Sequence, residues 1–295
     1  MDKTNDLVIG AVTGYTKDQL QYWVNSLNRC GFTGRKLLLC FDIDPETIRW
    51  LNDNQIGTCE INGISKEPSF SIVVDRFLFY YLTLRDMEDV RYVVATDVKD
   101  VIFQRDPSEL LEATLDSNDS RDMEYHFLLS SEELIYANEP WGLNNLRLSF
   151  PVHYDRLVKR QIVNCGVLAG RYEYFTDLCS QLYYMCGRSA PFIQGGGGPD
   201  QAALNVLMSQ SVFRDYAFIT HTRDAWAAQL GTTGDPHKLP SFLPHLLDTP
   251  PSIKDDGAVM SKGYFTWGTE TPFAIVHQWD RLASHHVQII KEKYS

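Results

Sequence analysis

The stretch YVVATDVKDVIFQRDP, residues 92–107, places acidic side chains directly after an apolar run. The run predicts a buried strand, and Asp97 and Asp100 follow it. Acids at the end of a strand either meet solvent or bind something. Hard divalent cations such as Mg²⁺ and Mn²⁺ take carboxylate oxygens as ligands, usually together with substrate phosphates. The third acid, Asp106, stands before Pro107 and fits the start of the next helix instead.

A histidine near the end of the chain is the second candidate. His277 lies in AIVHQWDR, just after a short apolar run, with Asp280 and Arg281 close behind. A lone histidine is more often structural than a ligand. Its position after a strand-like run makes it a candidate for the same kind of site.

The third candidate is Arg76, which is one of few charges in SIVVDRFLFYYL. One interpretation pairs it with Asp75 or Asp86 at the edge of a helix. The other places a cation near the acidic strand end, where it orients Asp97 or contacts a phosphate.

A fourth candidate is GGGGPDQAALN, residues 195–205. It predicts either a flexible linker before a helix or a mobile loop that closes on a substrate and presents Asp200 and Gln201 at a helix N-terminus. The four glycines match neither a phosphate-binding P-loop nor a dinucleotide-binding fingerprint, because the residues that complete those motifs are missing.

These residues need elements that position them, and the first half of the chain alternates between apolar runs and helical periodicity. Strands are predicted in DLVIGAVTGY, RKLLLCFD, IGTCEING and VRYVVATD, and helices in TKDQLQYWVNSLNRCGF, PETIRWLNDN and SIVVDRFLFYYLTLRDM. Gly31 or Gly34 should end the first helix. This alternation predicts a doubly wound parallel sheet, whose ligands bind beyond the carboxyl ends of the strands. Thr13, Gly14 and Tyr15 follow the first strand there.

The second half is less regular. EYHFLLSSEELIY predicts a strand, EPWGLNN a turn, and QIVNCGVLAGRYEYFTDLCSQLYYM a strand followed by a helix. Residues 229–272 are rich in Pro, Gly and Thr, which predicts a functional loop or a lid. PFAIVHQWDR predicts a short strand before a C-terminal helix. No linker divides the 295 residues.

The net charge of −11 argues against nucleic acid as a partner, because the sequence shows no basic run that could override the average, and it also argues against docking on anionic lipid. No apolar segment is long enough to span a bilayer, and the N-terminus lacks a signal pattern, which predicts a cytoplasmic protein. The six scattered cysteines predict buried free thiols.

Taken together, the motifs resemble those of the nucleotide-sugar-dependent glycosyltransferases of the GT-A fold. The resemblance rests on the acids after the fourth strand, an arginine in the preceding helix, NCGVLAG, DQAALN and VHQ, and runs from about residue 6 to 285. TDVKDVIFQRDP is similar to the form TD-x-RDV-x-FQ-x-DP of several uncharacterised eukaryotic and viral members. The family pattern is Asp-x-Asp, whereas the acids here are spaced Asp-x-x-Asp.

The resemblance implies a single GT-A-like domain over residues 1–295. Its nucleotide-binding half is about 1–107, and its acceptor-binding half, with a smaller acceptor-side subregion, is about 108–295. For a viral member, the location would be the host-cell cytoplasm. The residues implied to bind Mn²⁺ or Mg²⁺ are Asp97, Asp100 and His277, and those implied to bind the nucleotide are Thr13, Gly14, Tyr15, Arg76 and Asp97, with Arg281 at the diphosphate.

The remaining implied roles concern the transferred sugar and the acceptor. Asp200 and Gln201 are the implied catalytic residues, and Glu132 with Glu133 forms a reserve pair of carboxylates. The implied sugar and acceptor residues are Asn164, Cys165, Gly166, Glu132 and Trp141.

The predicted function is therefore transfer of a hexosyl or pentosyl group from a nucleoside-diphosphate sugar to a glycan or a protein-linked glycan. A UDP-sugar is favoured over a GDP-sugar, and a histidine metal ligand leans the stereochemistry towards retention. One alternative is a sugar-nucleotide nucleotidyltransferase, although AVTGYTKDQ lacks the Gly-rich basic signature usual there. The other is a non-catalytic, lectin-like carbohydrate-binding protein on the same fold.

Overall fold

A computed structural model describes residues 2–116, 124–188, 198–232, 234, 235, 237, 243–262 and 270–295. The strands are β1 Leu7–Thr13, β2 Arg35–Phe41, β3 Gly57–Ile61, β4 Tyr92–Thr96, β5 Val101–Phe103, β6 Phe127–Ile135, β7 Gln161–Arg171, β8 Ala217–Thr220, β9 Ala227–Gln229, β10 Ser252–Ile253, β11 Val259–Lys262, β12 Glu270–Pro272 and β13 Ile275–His277. The α-helices are α1 Lys17–Arg29, α2 Pro45–Asp53, α3 Ile72–Leu84, α4 Pro107–Leu115, α5 Pro140–Ser149, α6 Tyr154–Leu157, α7 Tyr172–Arg188, α8 Asp200–Met208, α9 Ser211–Arg214 and α10 Ser284–Tyr294.

Within the described residues, seven strands form the central sheet in the order β3-β2-β1-β4-β7-β6-β8. The first four are mutually parallel, and β6 is parallel to β8. β7 runs antiparallel to both of its neighbours. The predicted doubly wound, mostly parallel sheet is confirmed, and β1, β2 and β4 end at the same edge.

Helices cover both faces of this sheet, because alternate side chains of each buried strand point to opposite sides. Leu7 and Ile9 of β1 pack into a core with α3, α7 and α8. Val8 and Val12 of the same strand pack into a second core with α1, α2 and α4. Strands that are apolar on both faces are typical of a sheet covered on two sides.

The helix boundaries follow local capping chemistry. Gly31 adopts a left-handed conformation just after α1, as predicted. Asp44 and Asp106 cap α2 and α4 with their carboxylates, each before a proline at the first helical position. These contacts confirm that Asp106 starts a helix.

The predicted turn in EPWGLNN is wrong, because this stretch begins helix α5. Glu139 accepts hydrogen bonds from the backbone N–H groups of Trp141 and Gly142, and Pro140 occupies the first helical position. Gly142 and the two asparagines weaken the helical signal in the sequence. The cap and the packing of the helix outweigh that propensity.

The prediction of an irregular segment over residues 229–272 is also wrong in part. Among its described residues, β10, β11 and β12 form a small antiparallel sheet. These strands are two to four residues long, too short to give a readable alternation of apolar and polar side chains. Of the four glycines in the predicted loop of residues 195–205, Gly195 to Gly197 lie outside the described residues.

A third small sheet joins distant parts of the chain. β13 pairs antiparallel with β5 and parallel with β9, so that His277 lies opposite Val101 on one side and Gln229 on the other. Ile102, Val276 and Leu282 pack with Ile290 of α10 in a separate apolar core beneath this sheet. The sheet thereby anchors the C-terminal segment beside the end of β4.

All six cysteines are free thiols; four are buried, and Cys30 and Cys59 are half-buried. None of the helices in the described part of the chain is both long enough and apolar enough to cross a bilayer.

Candidate active site

The acidic pair lies on a tight turn between β4 and β5. The backbone N–H of Asp97 donates to the carbonyl oxygen of Gly166 at 2.8 Å, which ties the start of the turn to β7. The backbone N–H of Gln278 donates to the carbonyl oxygen of Asp100 at 2.7 Å, which ties its end to the residue after β13. The Asp-x-x-Asp spacing is therefore the spacing of a turn whose two ends are held by separate strands.

His277 completes a cluster with these two carboxylates. Its Nε2 lies 3.4 Å from Oδ2 of Asp97 and 3.8 Å from Oδ2 of Asp100. One ligand atom from each of the three residues falls within 4.8 Å of the others. Pairing of β5 with β13 produces this approach, because the residue opposite His277 directly follows Asp100.

The orientation of the His277 ring is set by a neighbour that the sequence did not single out. Nδ1 lies 2.6 Å from Oε1 of Gln229, its register partner on β9, and Nε2 of Gln229 donates to Oγ of Ser130 at 2.6 Å. The amide oxygen of Gln229 can only accept a hydrogen bond, so Nδ1 of His277 carries the hydrogen. Nε2 is then turned towards the carboxylates, in the manner of histidine ligands held by a second hydrogen bond.

Arg76 bridges two acids and does not pair with either acid near it in the sequence. One guanidinium nitrogen contacts Oδ1 of Asp97, and the other lies 2.9 Å from Oδ2 of Asp200. Asp75 instead accepts a hydrogen bond from the N–H of Ser71, and Asp86 pairs with Arg85. Arg76 is 8% exposed, so this ion pair lies largely out of water.

The NCG motif of β7 packs directly under the cluster. A Cβ at Gly166 would lie 2.6 Å from Nε2 of His277, closer than real Cβ contacts come, so the ring requires glycine there. Nδ2 of Asn164 donates to Oε1 of Glu132 at 2.9 Å and to Oε1 of Gln201 at 3.3 Å. Cys165 is buried, and its carbonyl oxygen accepts from Arg76.

Asp200 and Gln201 begin helix α8, and both are largely buried. Asn205, one turn later, holds this helix against β7: its side chain accepts from the N–H of Val163 at 2.9 Å and donates to the Val163 carbonyl at 2.8 Å. Sequence reasoning gave Asn205 no role. The only feature of the sequence that could have indicated this role is a polar asparagine at the end of DQAALN, among the apolar residues of the helix.

These side chains line one cleft of about 590 Å³. Arg281 and Trp141 lie on its wall, and the Trp141 ring is 48% exposed. The described residues that line the cleft do not include Thr13, which ends β1, or Gly14 and Tyr15, which follow it at the same edge of the sheet. The other predicted site residues that line it are Arg76, Asp97, Asp100, Glu132, Asn164, Cys165, Gly166, Asp200, Gln201 and His277.

The reserve pair of carboxylates is split by the structure. Glu132 points into the cleft, whereas Glu133 accepts from the N–H and the hydroxyl of Thr222 at 2.7 and 2.9 Å. Glu133 also lies 3.5 Å from Nδ1 of His221. Its left-handed backbone, with φ of 58°, turns adjacent side chains to different surroundings.

Burial and neighbouring charges separate the pKa values of the carboxyl groups. Burial acts to raise the pKa of Asp97, but Arg76 and His277 outweigh it and hold this pKa well below its usual range. Burial, with Asp97 adding, raises the pKa of Asp100.

The other carboxyl groups of the cleft are shifted in the same direction. Burial raises the pKa of Asp200 and brings that of Glu132 to about 7. Burial, with Asp97 and Asp100 adding, raises the pKa of Tyr15.

No family model and no curated protein matches the sequence, but solved structures match its fold. An active-site mutant of LgtC aligns with a TM-score of 0.57 at 12% identity, over 98% of this chain and 96% of that one. The galactosyltransferase LgtC in complex with donor and acceptor sugar analogs aligns with a TM-score of 0.52 at 12% identity, over 97% and 95%. Apo GlyE, a glycosyltransferase of Streptococcus pneumoniae TIGR4, aligns with a TM-score of 0.51 at 17% identity, over 98% of this chain and 63% of that one. The chain therefore shares the glycosyltransferase GT-A fold.

Proposed function

We propose that this protein is a metal-dependent glycosyltransferase that transfers a sugar from a nucleoside-diphosphate sugar to a glycan acceptor. The observation that carries the proposal is the convergence of Asp97, Asp100 and His277 within 4.8 Å inside a cleft at the carboxyl end of β4. The GT-A fold of the solved neighbours supports it.

The three side chains fit a divalent cation. Two carboxylate oxygens and one imidazole nitrogen suit Mn²⁺, and they suit Mg²⁺ less well because that ion prefers oxygen ligands. When bound, the ion supplies Lewis-acid stabilisation of the charge that develops on the departing diphosphate. Arg281, on the wall of the cleft, would contact the same diphosphate, and Arg76 keeps Asp97 ionised and in place.

The donor and acceptor are assigned to the two halves of the chain. Thr13, Gly14 and Tyr15, in the half before about residue 107, would contact the base and ribose, with the Tyr15 ring stacking on uracil. Glu132 and Trp141, in the half after 108, would contact the transferred sugar and the acceptor together with Asn164, Cys165 and Gly166. Trp141 offers an aromatic surface for the apolar face of a sugar ring.

The reaction breaks the bond between the anomeric carbon and the diphosphate oxygen, and the acceptor oxygen forms a bond to that carbon. Asp200 and Gln201 lie where they can stabilise cationic character at this carbon or orient the sugar. The acceptor hydroxyl must lose its proton, and the departing diphosphate oxygen can take it in a retaining reaction. Glu132, with a pKa of about 7, is the carboxyl group best matched to proton exchange near neutral pH.

The first test is the shift in melting temperature with UDP or GDP, each with and without Mn²⁺. We expect a rise that needs both Mn²⁺ and one nucleotide, and Asp100→Ala should abolish it. Asp53→Ala removes an exposed acid elsewhere and should behave like the wild type. Absence of a shift with either nucleotide would favour a carbohydrate-binding protein without catalysis.

The second test separates binding from chemistry in a screen of sugar nucleotides with Mn²⁺. Asp200→Asn should leave nucleotide affinity within about threefold but lower transfer or donor hydrolysis by roughly a hundredfold. Release of pyrophosphate from a sugar phosphate and a nucleoside triphosphate would instead identify a nucleotidyltransferase. Unfolding of Asp200→Asn would show that Asp200 serves only the start of α8 and its ion pair.

A further inference from the structure

The segment 140–160, which contains α5 and α6, presents an unusual combination of apolar and basic side chains to solvent. We call this surface the basic face, and its exposed members are Trp141, Arg147, Leu148, Val152, Arg156, Lys159 and Arg160. It adjoins the cleft, because Trp141 belongs to both.

Helical geometry places the apolar members on one side. Trp141 and Leu148 are seven residues apart on α5, which brings them to the same face of a helix. They are 48% and 50% exposed, and Val152, in the short turn that follows, is 89% exposed. The opposite face of α5, with Gly142 and Leu146, is buried. The helix therefore has a core-facing side and an outward side that exposes Trp141 and Leu148, with the polar Asn144 between them.

The charge of the segment is opposite to that of the whole chain. Residues 140–160 contain four Arg or Lys and one Asp, a net charge of +3, in a protein whose net charge is −11. Within the described residues, Arg147, Lys159 and Arg160 form no ion pair, and Arg156 donates to the carbonyl oxygen of Ser209. Screening in physiological salt has a length of about 8 Å, so acids elsewhere on the protein do not cancel this local field.

We propose that the basic face binds the surface of an anionic phospholipid bilayer. Basic side chains beside exposed Trp and Leu match an interface with negative headgroups above acyl chains, where tryptophan also prefers to lie. An acidic protein partner would pair with the basic side chains, but it would not account for the exposed apolar side chains of Trp141, Leu148 and Val152. The proposal departs from the expectation that net charge alone gives, and bilayer binding would set the mouth of the cleft at the membrane. The inference does not depend on the reaction proposed above.

Co-sedimentation of the full chain with vesicles tests this inference. We expect binding to vesicles of phosphatidylcholine with 30% phosphatidylserine and little binding to phosphatidylcholine alone. Lys159→Glu with Arg160→Glu should weaken the partition coefficient by about tenfold or more, since each basic residue near an anionic surface contributes severalfold. Leu148→Ser with Val152→Ser should lower the partition coefficient as well. The binding that is left should be more sensitive to salt, because it depends on the basic side chains alone.

A matched control changes the net charge of the protein by the same amount as the 159/160 variant. Arg49→Glu with Lys291→Glu makes the same change in charge at exposed positions outside the basic face and should retain binding. Equal loss in both charge-reversal pairs would overturn the inference, because binding would then follow total charge. Failure of the wild type to bind anionic vesicles would overturn the inference too. The same holds if the wild type is a dimer without lipid and both the 148/152 and the 159/160 variants are monomers, because the basic face would then be an interface between two copies of the chain.

Discussion

At the residue scale, the cluster depends on how closely the His277 ring approaches the backbone of β7. The ring leaves no room for a Cβ at Gly166, and the carbonyl of that same residue holds the backbone of Asp97. One glycine thus positions two of the three proposed ligands. A methyl group here must displace either the ring or the strand.

The first prediction concerns Gly166→Ala. We expect Mn²⁺ affinity to fall by about tenfold or more, because the displaced ring no longer faces both carboxylates. Isothermal titration with Mn²⁺ measures the affinity, and circular dichroism checks that the fold is retained. Gly187→Ala is the matched control, since a Cβ at this helical position meets nothing within 4 Å. Equal Mn²⁺ affinity in the two variants would contradict the role of Gly166.

The second prediction concerns Gln229, which orients His277 through Nδ1. Gln229→Met keeps the volume but removes the acceptor, so the imidazole loses its fixed tautomer. We expect Mn²⁺ affinity to fall by roughly 10- to 100-fold. Gln229→Glu retains an acceptor for Nδ1–H and should stay within about threefold of the wild type. If methionine and glutamate weaken binding equally, Gln229 acts only through packing.

The site residues differ in how far the sequence alone could predict their positions in the site. The order of the strands placed Asp97 and Asp100 at a ligand-binding edge, but their grouping with His277 came from the family resemblance, because the sequence context of His277 made it only a candidate. Gln229 could not, because its partnership with His277 arises from a parallel pairing of three-residue strands 48 positions apart. Arg76 could be placed near Asp97, but its second partner, Asp200, comes from a helix 124 residues later.

At the element scale, the first half of the fold was predictable, and in the C-terminal part strand β13 and helix α10 were predictable too. Strands β1, β2 and β4 are buried on both faces, so each contains a continuous apolar run, and β1 and β2 are each followed by a periodic helix. Strands β9 to β12 have two to four residues each, too few to show an alternation of apolar and polar side chains, and β9 pairs with the distant β13. Such strands owe their existence to tertiary packing, which local patterns do not record.

The third prediction concerns the opposite edge of the sheet, where Arg91 joins the starts of β1 and β4. Its guanidinium lies 2.8 Å from Oδ1 of the fully buried Asp6 and 2.7 Å from Oε1 of Glu112. Arg91→Leu leaves a buried carboxylate without its cation, so we expect the free energy of unfolding to fall by about 3–5 kcal/mol. Urea denaturation measures this change.

The control for Arg91 is an arginine in an exposed pair. Arg85→Leu removes the partner of Asp86, and both side chains are more than half exposed, so we expect a change within about 0.5 kcal/mol. Mn²⁺ affinity of folded Arg91→Leu should match that of the wild type, because Arg91 lies at the other end of the strands. A loss of metal affinity there would mean that the two edges are coupled.

At the scale of the whole molecule, one group of buried acids surrounds the cleft, whereas Asp6 is buried at the opposite edge of the sheet with Arg91 as its partner. Burial raises the pKa of Asp100, Glu132, Glu139 and Asp200, so ionisation of these groups opposes folding. Arg76 offsets part of this effect near Asp200. The buried carboxyl groups of the proposed site therefore lower the free energy of unfolding of the protein, which is typical of functional sites that are formed before their ligand binds.

The last prediction follows from Glu132, whose pKa rises from its ordinary value of 4.5 to about 7 on folding. The unfolded chain releases this proton first as pH rises, so the folded state binds more protons between about pH 4.5 and 7 and loses stability across that range. Glu132→Gln removes the titration and keeps an oxygen for the Asn164 amide. In urea titrations with EDTA, we expect the variant to lie close to the wild type at pH 4.5 and to exceed it by about 3 kcal/mol well above pH 7, because each unit of pKa corresponds to about 1.4 kcal/mol. Exposed Glu60→Gln should show no such pH-dependent gain, and a gain that is constant with pH would mean that Glu132 is not held protonated by the fold.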